Sequence, residues 1–271
     1  MKDVKKEQLE KQLERVAKYF IKTPEAPHYL SQQITMIAGG ILILYAIVVK
    51  NPTAIIAGVL GLILLLVGFS KYGNKKSEYK KLYNKAEPKA SDEEMDRLLS
   101  EGKQQALSEA YERLDIDPED TSTIPLMIDG PEKNSLIGSG KDKILRFRHH
   151  NILLFFLTDH NIATFHCTLD LGCSEILKDK TKEFPYKDIT NLETETTNDT
   201  FYYLNNEKSS VEGIKSLSLY TSGGNNTTVN YIFSKGANDP DGYKLPQSDA
   251  ENTIKAIRKR LKEYKDRFST S

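Results

Sequence analysis

The chain has 271 residues, and its 38 lysines and arginines are balanced by 38 aspartates and glutamates. A chain without net charge has no overall field to recruit nucleic acid, so we expect no nucleic acid partner. Its two cysteines, Cys167 and Cys173, are too few for a disulfide framework and lack the CxxC spacing of a redox or zinc motif. A reducing compartment is therefore expected.

The first predicted element is an amphipathic helix within residues 1–23. Its apolar residues follow a 4, 3, 4 spacing and are Leu9, Leu13, Val16 and Phe20. Such a narrow stripe is typical of a coiled coil with another copy, of a helix lying on a membrane, or of a helix packed on its own domain. The sequence leaves these three interpretations open.

A long apolar stretch follows, and Lys50-Asn51-Pro52 divides it into two halves, 34–49 and 53–69. A helix of about 17 residues is roughly 25 Å long, close to the ~30 Å hydrocarbon core of a bilayer. The alternative, a buried hairpin in a soluble core, requires amphipathic partners to surround it, and the sequence offers none. We therefore predict a two-span transmembrane hairpin within residues 30–72.

Small residues recur in both halves of this predicted hairpin. In lipid, small residues let helix backbones approach closely, so they are candidates for packing between the spans or between copies. Alternatively, glycine is simply common in transmembrane helices. The candidate packing residues are Gly39, Gly40, Ala54, Ala57, Gly58 and Gly61.

Basic residues flank the hairpin on both sides, whereas its turn has Lys50 alone. The flanking residues are Lys2, Lys5, Lys6, Lys11, Arg15, Lys18 and Lys22 on one side, and Lys71, Lys75, Lys76, Lys80, Lys81 and Lys85 on the other. Because positive charge is retained on the cytoplasmic side of a membrane, both termini are expected in the cytoplasm and the turn outside.

Residues 73–119 are predicted to form a basic stalk followed by a helix. Ser91 and Glu94 have the spacing of a capping box, and an apolar face follows them. That face consists of Met95, Leu98, Leu99, Ala106, Ala110 and Leu114. The helix ends near Asp115-Ile116-Asp117, which lacks the glycine that a calcium loop needs. No calcium site is expected.

Residues 120–268 change to short segments typical of β-strands. The predicted strands are 143–150, 152–158, 162–169, 189–196, 200–204, 215–222 and 227–235. The chain then has one more amphipathic helix, with apolar residues at Ala250, Ile254, Ile257, Leu261, Tyr264 and Phe268. Seven strands at hairpin spacing predict a sandwich or barrel, and the helix is expected to cover one end.

Two stretches of this region, LLFFLTDHNIATF and FPYKDITNLE, resemble the bacterial pleckstrin-homology-like (PH-like) domains. The matching features are the Thr158-Asp159 turn and the Pro185 to Thr190 strand start. The resemblance implies a seven-stranded PH-like barrel capped by the C-terminal helix. It also implies a bacterial inner membrane setting, since many members join the barrel to transmembrane helices. The predicted fold class is therefore a membrane-anchored α+β protein.

Gly138-Ser139-Gly140-Lys141 has part of a phosphate-binding loop. That motif needs a glycine where the chain has Ser135, and a serine or threonine where it has Asp142. Without the hydroxyl there is no magnesium ligand. No nucleotide or other cofactor is therefore expected.

A histidine and cysteine cluster raises the question of a metal site; it comprises His149, His150, His160, His166, Cys167 and Cys173. Neighbouring residues of a strand point to opposite faces, so the adjacent pairs cannot act together as ligands. No nucleophile stands in a recognisable catalytic motif. We predict neither a metal site nor catalytic residues, and hence a protein that is not an enzyme.

Four basic residues form the remaining candidate site: Lys141, Lys143, Arg146 and Arg148. Arg146 and Arg148 share one strand face, and Arg146-Phe147-Arg148 is similar to the triplet that binds inositol phosphates in eukaryotic pleckstrin-homology domains. The resemblance implies contact with anionic lipid or phosphate. The alternative is an ordinary solvated strand face.

These predictions favour a membrane-tethered scaffold that presents a PH-like domain to a partner. The alternative is an oligomeric membrane effector or pore with the PH-like domain as its sensor. In either case the partners are the membrane and either another copy or a second protein, bound through the N-terminal helix, the hairpin or the PH-like domain.

Overall fold

The computed structural model describes residues 2–49, 51–120, 123–203, 208–232, 244–246 and 248–269. It divides into two compact units, which we call the hairpin unit (residues 23–88) and the sheet unit (residues 1–22 and 89–271). The predicted boundary differed, because it grouped residues 73–88 with the helix that follows them. Lys50, the one basic residue of the predicted turn, lies outside the described residues.

The hairpin unit consists of two antiparallel helices, α2 (Leu30–Val49) and α3 (Pro52–Ala86). Asn51 caps α3, because its side chain accepts a hydrogen bond of 2.7 Å from the Ala54 amide. Pro52 occupies the first helical position, where a missing N–H costs nothing. The predicted stalk is not a separate segment, since α3 continues through residues 70–86 without a break.

The sheet unit has the helices α1 (Lys2–Tyr19), α4 (Asp92–Leu114) and α5 (Ala250–Ser269), together with nine described strands. The strands β1 to β9 are Pro125–Pro131, Ile137–Ser139, Leu145–Phe147, His149–Leu157, Asn161–Asp170, Glu175–Pro185, Ile189–Tyr202, Lys208–Thr221 and Asn226–Ile232. They form a four-stranded sheet in the order β1-β4-β5-β6, a three-stranded sheet β7-β8-β9, and the small pair β2-β3. The pairings between these strands are antiparallel.

The four-stranded sheet is buried on both faces where β4 crosses it. Leu154 and Phe156 belong to a core that includes Met95 of α4. Leu153 and Phe155 point the other way, into a core shared with α5 and the three-stranded sheet. Because both faces of β4 are buried, its sequence is a continuous run of apolar residues and does not alternate between apolar and polar ones.

Helix α5 provides the expected apolar face. Ile254 and Ile257 are almost fully buried in the core between the two sheets, and Leu261 is 9% exposed. Thr253 donates a hydrogen bond of 3.3 Å to the Met127 carbonyl in β1. Of the predicted apolar positions, the side chain of Phe268 lies outside the described ones.

The strand count corrects the prediction of seven. Strands β1, β2 and β6 were missed, and the segments predicted at 189–196 and 200–204 belong to the single strand β7. Strand β6 was not predicted because its sequence is mostly charged. Charged residues are common in strands at the edge of a sheet, where they oppose pairing with another chain. Residues 204 and 233–235 of the predicted strands lie outside the described residues.

Helix α1 packs on its own unit through its C-terminal end. Val16 and Tyr19, with Phe20 directly after the helix, are buried in the same core as α4. Leu9, in contrast, is 55% exposed. Of the three interpretations of this helix, packing on its own domain therefore holds for its last turns. The side chains of Lys2, Lys5 and Lys6 lie outside the described ones.

Candidate functional site

The outward surface of the hairpin unit is the largest unexplained feature of the chain. Between Leu30 and Phe69, seventeen leucine, isoleucine, valine or phenylalanine side chains of α2 and α3 are each 39–77% exposed: Leu30, Ile34, Ile37, Ile41, Leu44, Ile47, Val48, Val49, Ile55, Ile56, Val59, Leu60, Leu62, Ile63, Leu66, Val67 and Phe69. An exposed apolar surface this extensive marks a site of interaction with a membrane or with another protein. Both helices are long and apolar enough to cross a membrane.

Small residues fill the inside of the hairpin. On α3, Ala54, Gly61 and Gly68 are buried and recur every seven residues. A Cβ atom on Gly61 would lie 2.6 Å from the Gly39 carbonyl oxygen, and one on Gly39 would lie 2.7 Å from the Gly61 oxygen. The two backbones are therefore in direct contact at this point.

The predicted packing residues divide into those at the contact and those away from it. A Cβ atom on Gly58 would lie 2.9 Å from Ala46, whereas one on Gly40 would meet nothing within 4 Å. Gly40 therefore does not pack between the two helices of one chain, and the predicted alternative for this residue, contact between copies, stays a prediction. Ala57 is half-buried. Gly68, which packs against Met36, was missed although it continues the spacing of Ala54 and Gly61.

Beyond Phe69 the surface of α3 changes from apolar to tyrosine and lysine. Tyr72 packs against Tyr29 with ring centroids 4.6 Å apart. Lys75 donates a hydrogen bond of 2.9 Å to the His28 carbonyl, and the Lys76 ammonium lies 5.9 Å from the centre of the Tyr72 ring. Tyrosine and lysine are the residues that favour a membrane–water interface.

Arg146, a predicted basic-site residue, is buried in the sheet unit instead of solvated. Its guanidinium donates to Asp96 at 2.7 and 2.8 Å and to Asp142 at 2.8 and 3.2 Å. It also donates to the Tyr19 hydroxyl at 2.9 Å and lies 3.5 Å from Asp92. Since these groups occupy its donors, Arg146 joins α1, α4 and β3 and is not available to an external anion.

The surroundings of Arg146 change the pKa of its neighbours. Burial raises the pKa of Tyr19 far above its usual range. The hydrogen bond from Arg146 lowers the pKa of Asp142. Burial alone would lower the pKa of Arg146, but the carboxylates of Asp96 and Asp142 outweigh it and raise that pKa. The cluster is thus a closed ion-pair network.

The loop with the partial phosphate motif binds a carboxylate of its own chain. The backbone amides of Lys141 and Asp142 donate to Asp92 Oδ2 at 2.9 and 3.3 Å. A Cβ atom on Gly140 would overlap the same carboxylate. The glycine of this motif is therefore required by the contact with α4, and an internal anion occupies the position where a phosphate would bind.

The other three predicted basic residues do not form one patch with Arg146. Arg148 holds Asp170 through two hydrogen bonds of 2.9 and 3.0 Å. Burial alone would raise the pKa of Asp170, but hydrogen bonds from His149, Arg148 and the Gly172 amide lower it far below its usual range. Lys141 and Lys143 are exposed. The structure thus corrects the predicted solvated face, because its two arginines are paired internally.

The histidines and cysteines do not assemble into a metal site or an activated nucleophile in the described part of the chain. No group of three potential ligands comes together there. Burial raises the pKa of Cys167 to about 12, and burial with nearby Asp170 also raises the pKa of Cys173. His149 approaches Asp170 at 3.5 Å. Raised thiol pKa values oppose nucleophilic chemistry, which requires the thiolate.

One basic group was missed by the sequence analysis because it falls in the missed strand. Lys178, Lys180 and Lys182 alternate along β6 and therefore share one face of the sheet. The alternation of lysines at every second position was the available signal.

Comparison with known proteins adds no assignment: no family model, curated protein or solved structure matches the chain.

Proposed function

We propose that the chain is a membrane-tethered interaction protein without catalytic activity. The observation that carries this proposal is the apolar surface of α2 and α3, where the large side chains point outward and the small ones inward. In water this arrangement would expose the large apolar side chains to solvent. In lipid the same side chains contact acyl chains, and the small residues let the two helices pack closely. Helices α2 and α3 therefore cross the bilayer as a two-span hairpin.

The orientation of the hairpin follows from its charged ends. The tyrosines and lysines after Phe69 mark one interface, and Asn51 lies at the opposite end of both helices. Because lysine-rich flanks remain in the cytoplasm, the sheet unit is cytoplasmic and the turn at Asn51 faces outward. The setting proposed for this arrangement is a bacterial inner membrane.

The sheet unit is proposed to be a PH-like domain. Support comes from the four-stranded and three-stranded antiparallel sheets and from α5, which packs its apolar face between them. The pair β2-β3 and the helices α1 and α4 are additions to that plan. Such a unit presents surfaces to a partner, and its ionisable clusters serve its own packing, as the Arg146 network does.

Extraction of membranes with alkaline carbonate tests the tether. The full chain should remain in the membrane pellet, whereas release into the supernatant would contradict insertion. A matched variant with Ile37 and Ile41 of α2 and Ile56 and Ile63 of α3 changed to aspartate should lose this retention, since each charge at the membrane core costs about 3 kcal/mol.

Leakage of a dye from vesicles separates the scaffold from the oligomeric effector or pore. A scaffold should reconstitute into vesicles without releasing the dye and should retain a protein partner from cell extract after crosslinking. Dye release that grows with protein concentration would instead assign the hairpins to a pore.

A further inference from the structure

Strand β6 presents two chemically different faces. On the face toward α4, Asp179 pairs with Arg113 at 2.5 Å. On the opposite face stand Lys178, Lys180 and Lys182, which are register partners of Thr168, His166 and Thr164 in β5. Asp179 therefore lies on the side of the strand opposite the three lysines. We call the second set, with His166, the lysine column.

The three lysines lack a compensating charge. No ion pair joins Lys178, Lys180 or Lys182 to a carboxylate within the described ranges, in contrast to Lys103, which pairs with Asp129 at 2.9 Å. Side chains two residues apart on a strand start about 7 Å from each other, so flexible ammonium groups can converge. Burial lowers the pKa of Lys182, and the charge of Lys180 lowers it further. Lys180 and Lys182 thus interact with each other unfavourably.

The neighbouring strand adds an unused polar atom. His166 Nε2 is buried and has no hydrogen-bond partner. Burial and the charges of Lys180 and Lys182 lower the pKa of His166. The neighbouring hydroxyls already donate elsewhere, since Thr164 bonds to the Lys182 carbonyl at 3.1 Å and Thr168 to Asn151 at 3.0 Å. The two hydroxyl oxygens can still accept hydrogen bonds. The lysines, however, only donate, so a ligand bound here must supply mainly acceptor atoms.

The column lies where the two large sheets diverge. Strand β6 ends the four-stranded sheet, and β7, which follows it in the chain, pairs with β8. The Lys182 ammonium reaches across to the Asn226 carbonyl at the start of β9. The described part of the chain places no strand on the other side of β6, so Lys178 and Lys180 remain exposed.

We infer that the lysine column binds a phosphate-bearing ligand. Three ammonium groups supply donors and positive charge, the neutral imidazole supplies one N–H donor, and a phosphate group supplies several acceptor oxygens and up to two negative charges. A bound phosphate would relieve the repulsion between Lys180 and Lys182. The ligand is a free phosphate compound or a phospholipid headgroup, which share this chemistry.

This inference does not depend on the proposed membrane tether. It concerns residues of the sheet unit alone, and it would stand if the hairpin proved not to span a bilayer. The site also differs from the predicted one at Lys141, Lys143, Arg146 and Arg148, whose arginines are occupied by Asp96, Asp142 and Asp170.

Calorimetric titration of the full chain in neutral detergent tests the site. Pyrophosphate represents the free phosphate compounds, and phosphatidic acid with short acyl chains represents the headgroup. Changing Lys178, Lys180 and Lys182 together to glutamine should weaken binding at least tenfold. The matched control changes Lys255, Lys262 and Lys265 of α5 to glutamine; these three lysines are exposed, as Lys178 and Lys180 are, and their replacement removes the same charge. It should bind within twofold of the unchanged chain.

Each outcome has a defined meaning. Binding of pyrophosphate alone assigns a free phosphate compound, and binding of phosphatidic acid as well assigns a headgroup; both support the site. Absence of binding for both ligands, or equal weakening in the two triple variants, overturns it. Lys180→Gln alone should weaken binding severalfold, which keeps the test decisive if the triple variant fails to fold.

A chemical footprint locates the ligand directly. Acetylation of the full chain, read by mass spectrometry, should slow at Lys180 when pyrophosphate is present and remain unchanged at Lys255. Equal protection of both lysines, or of neither, would contradict a site on β6.

Discussion

The two units of this protein use apolar residues in opposite ways. In the hairpin unit, glycines such as Gly39 and Gly61 occupy the contact between the helices, and the large aliphatic residues face outward. In the sheet unit, the largest side chains are the most buried, including Phe155, Phe165 and Tyr186. The same residue types are thus arranged in opposite ways, and outward large side chains with small residues at the helix contact are the arrangement expected of helices packed in lipid.

Charge is distributed with equal contrast. The apolar part of the hairpin has no charged residue between Leu30 and Val49 or between Pro52 and Phe69. The sheet unit instead buries Arg146 and compensates it with carboxylates from two other segments. The proposed tether places the uncharged hairpin in the apolar phase of a membrane, whereas the sheet unit compensates its buried charge by internal pairing. The following changes test this difference.

The largest effect is expected in the core under α5. Ile257 is fully buried there, so Ile257→Asp places an unpaired charge in an apolar site and should cost about 5 kcal/mol or more. The sheet unit should lose its cooperative thermal transition. Lys262→Asp on the exposed side of the same helix should change the unfolding free energy by less than about 0.5 kcal/mol. Equal effects of the two substitutions would show that α5 does not cover a core.

Removal of the buried cation should rank next. Arg146→Met leaves three carboxylates without their partner and should destabilise the sheet unit by about 3 kcal/mol. This loss of unfolding free energy is at the lower end of the range of about 3 to 5 kcal/mol for a broken buried ion pair, because Asp96 is 61% exposed and can be hydrated. Urea unfolding of the full chain measures this. Arg97→Met, which removes an exposed pair with Glu101, is the control; a similar loss there would show that burial of Arg146 is unimportant.

A bulky residue at the backbone contact tests the inside of the hairpin. Gly61→Leu should separate α2 from α3, at a cost of about 2 kcal/mol by analogy with overpacked cores. Disulfide crosslinking between cysteines placed at Met36 and Gly68 should fall in this background. Gly40→Leu should leave the crosslinking yield unchanged, because the space beside Gly40 is open. A reduced yield in both variants would contradict the described register.

The smallest effect concerns a buried histidine of the sheet unit. Both ring nitrogens of His150 lack a hydrogen-bond partner, and Asp129 is 3.9 Å away. Burial lowers the pKa of His150 from 6.5 to about 4. The unfolded chain therefore binds the proton first as the pH falls, and stability is lost between pH 6.5 and pH 4.

From pH 7 to pH 5 this single group should reduce the unfolding free energy by about 2 kcal/mol. Comparison of the unchanged chain with His150→Phe isolates the contribution of His150, because the carboxylates other than its neighbour Asp129 have the same surroundings in both. Urea unfolding at the two pH values should show a smaller decrease for His150→Phe. The same decrease in both would contradict a neutral, buried His150.

Elements with a strong apolar pattern could be predicted from the sequence. The two apolar helices, α4 with its Ser91 cap, and α5 were all expected, because each shows its period within one segment. Strand β6 was not, since a strand at a sheet edge with charges on both faces has no apolar alternation to recognise.

The role of Arg146 could not be predicted for a different reason. Its partner Tyr19 is 127 residues away in the chain, and Asp92 and Asp96 belong to a helix that was predicted in a segment separate from the β-strand domain. The local sequence predicts an arginine on one face of a strand. Whether that face is buried depends on how α1 and α4 pack on the sheet, which the local sequence does not contain.

Cysteine labelling in intact cells tests the central claim, the two-span hairpin with a cytoplasmic sheet unit, most directly. In a background with Cys167→Ala and Cys173→Ser, we place a single cysteine at Asn51 or at Gln104 of α4, both exposed. A thiol reagent that cannot cross membranes should label the cysteine at position 51 and reach position 104 only after the cells are permeabilised. Labelling of position 104 alone in intact cells, or of both positions equally, would contradict the proposed topology.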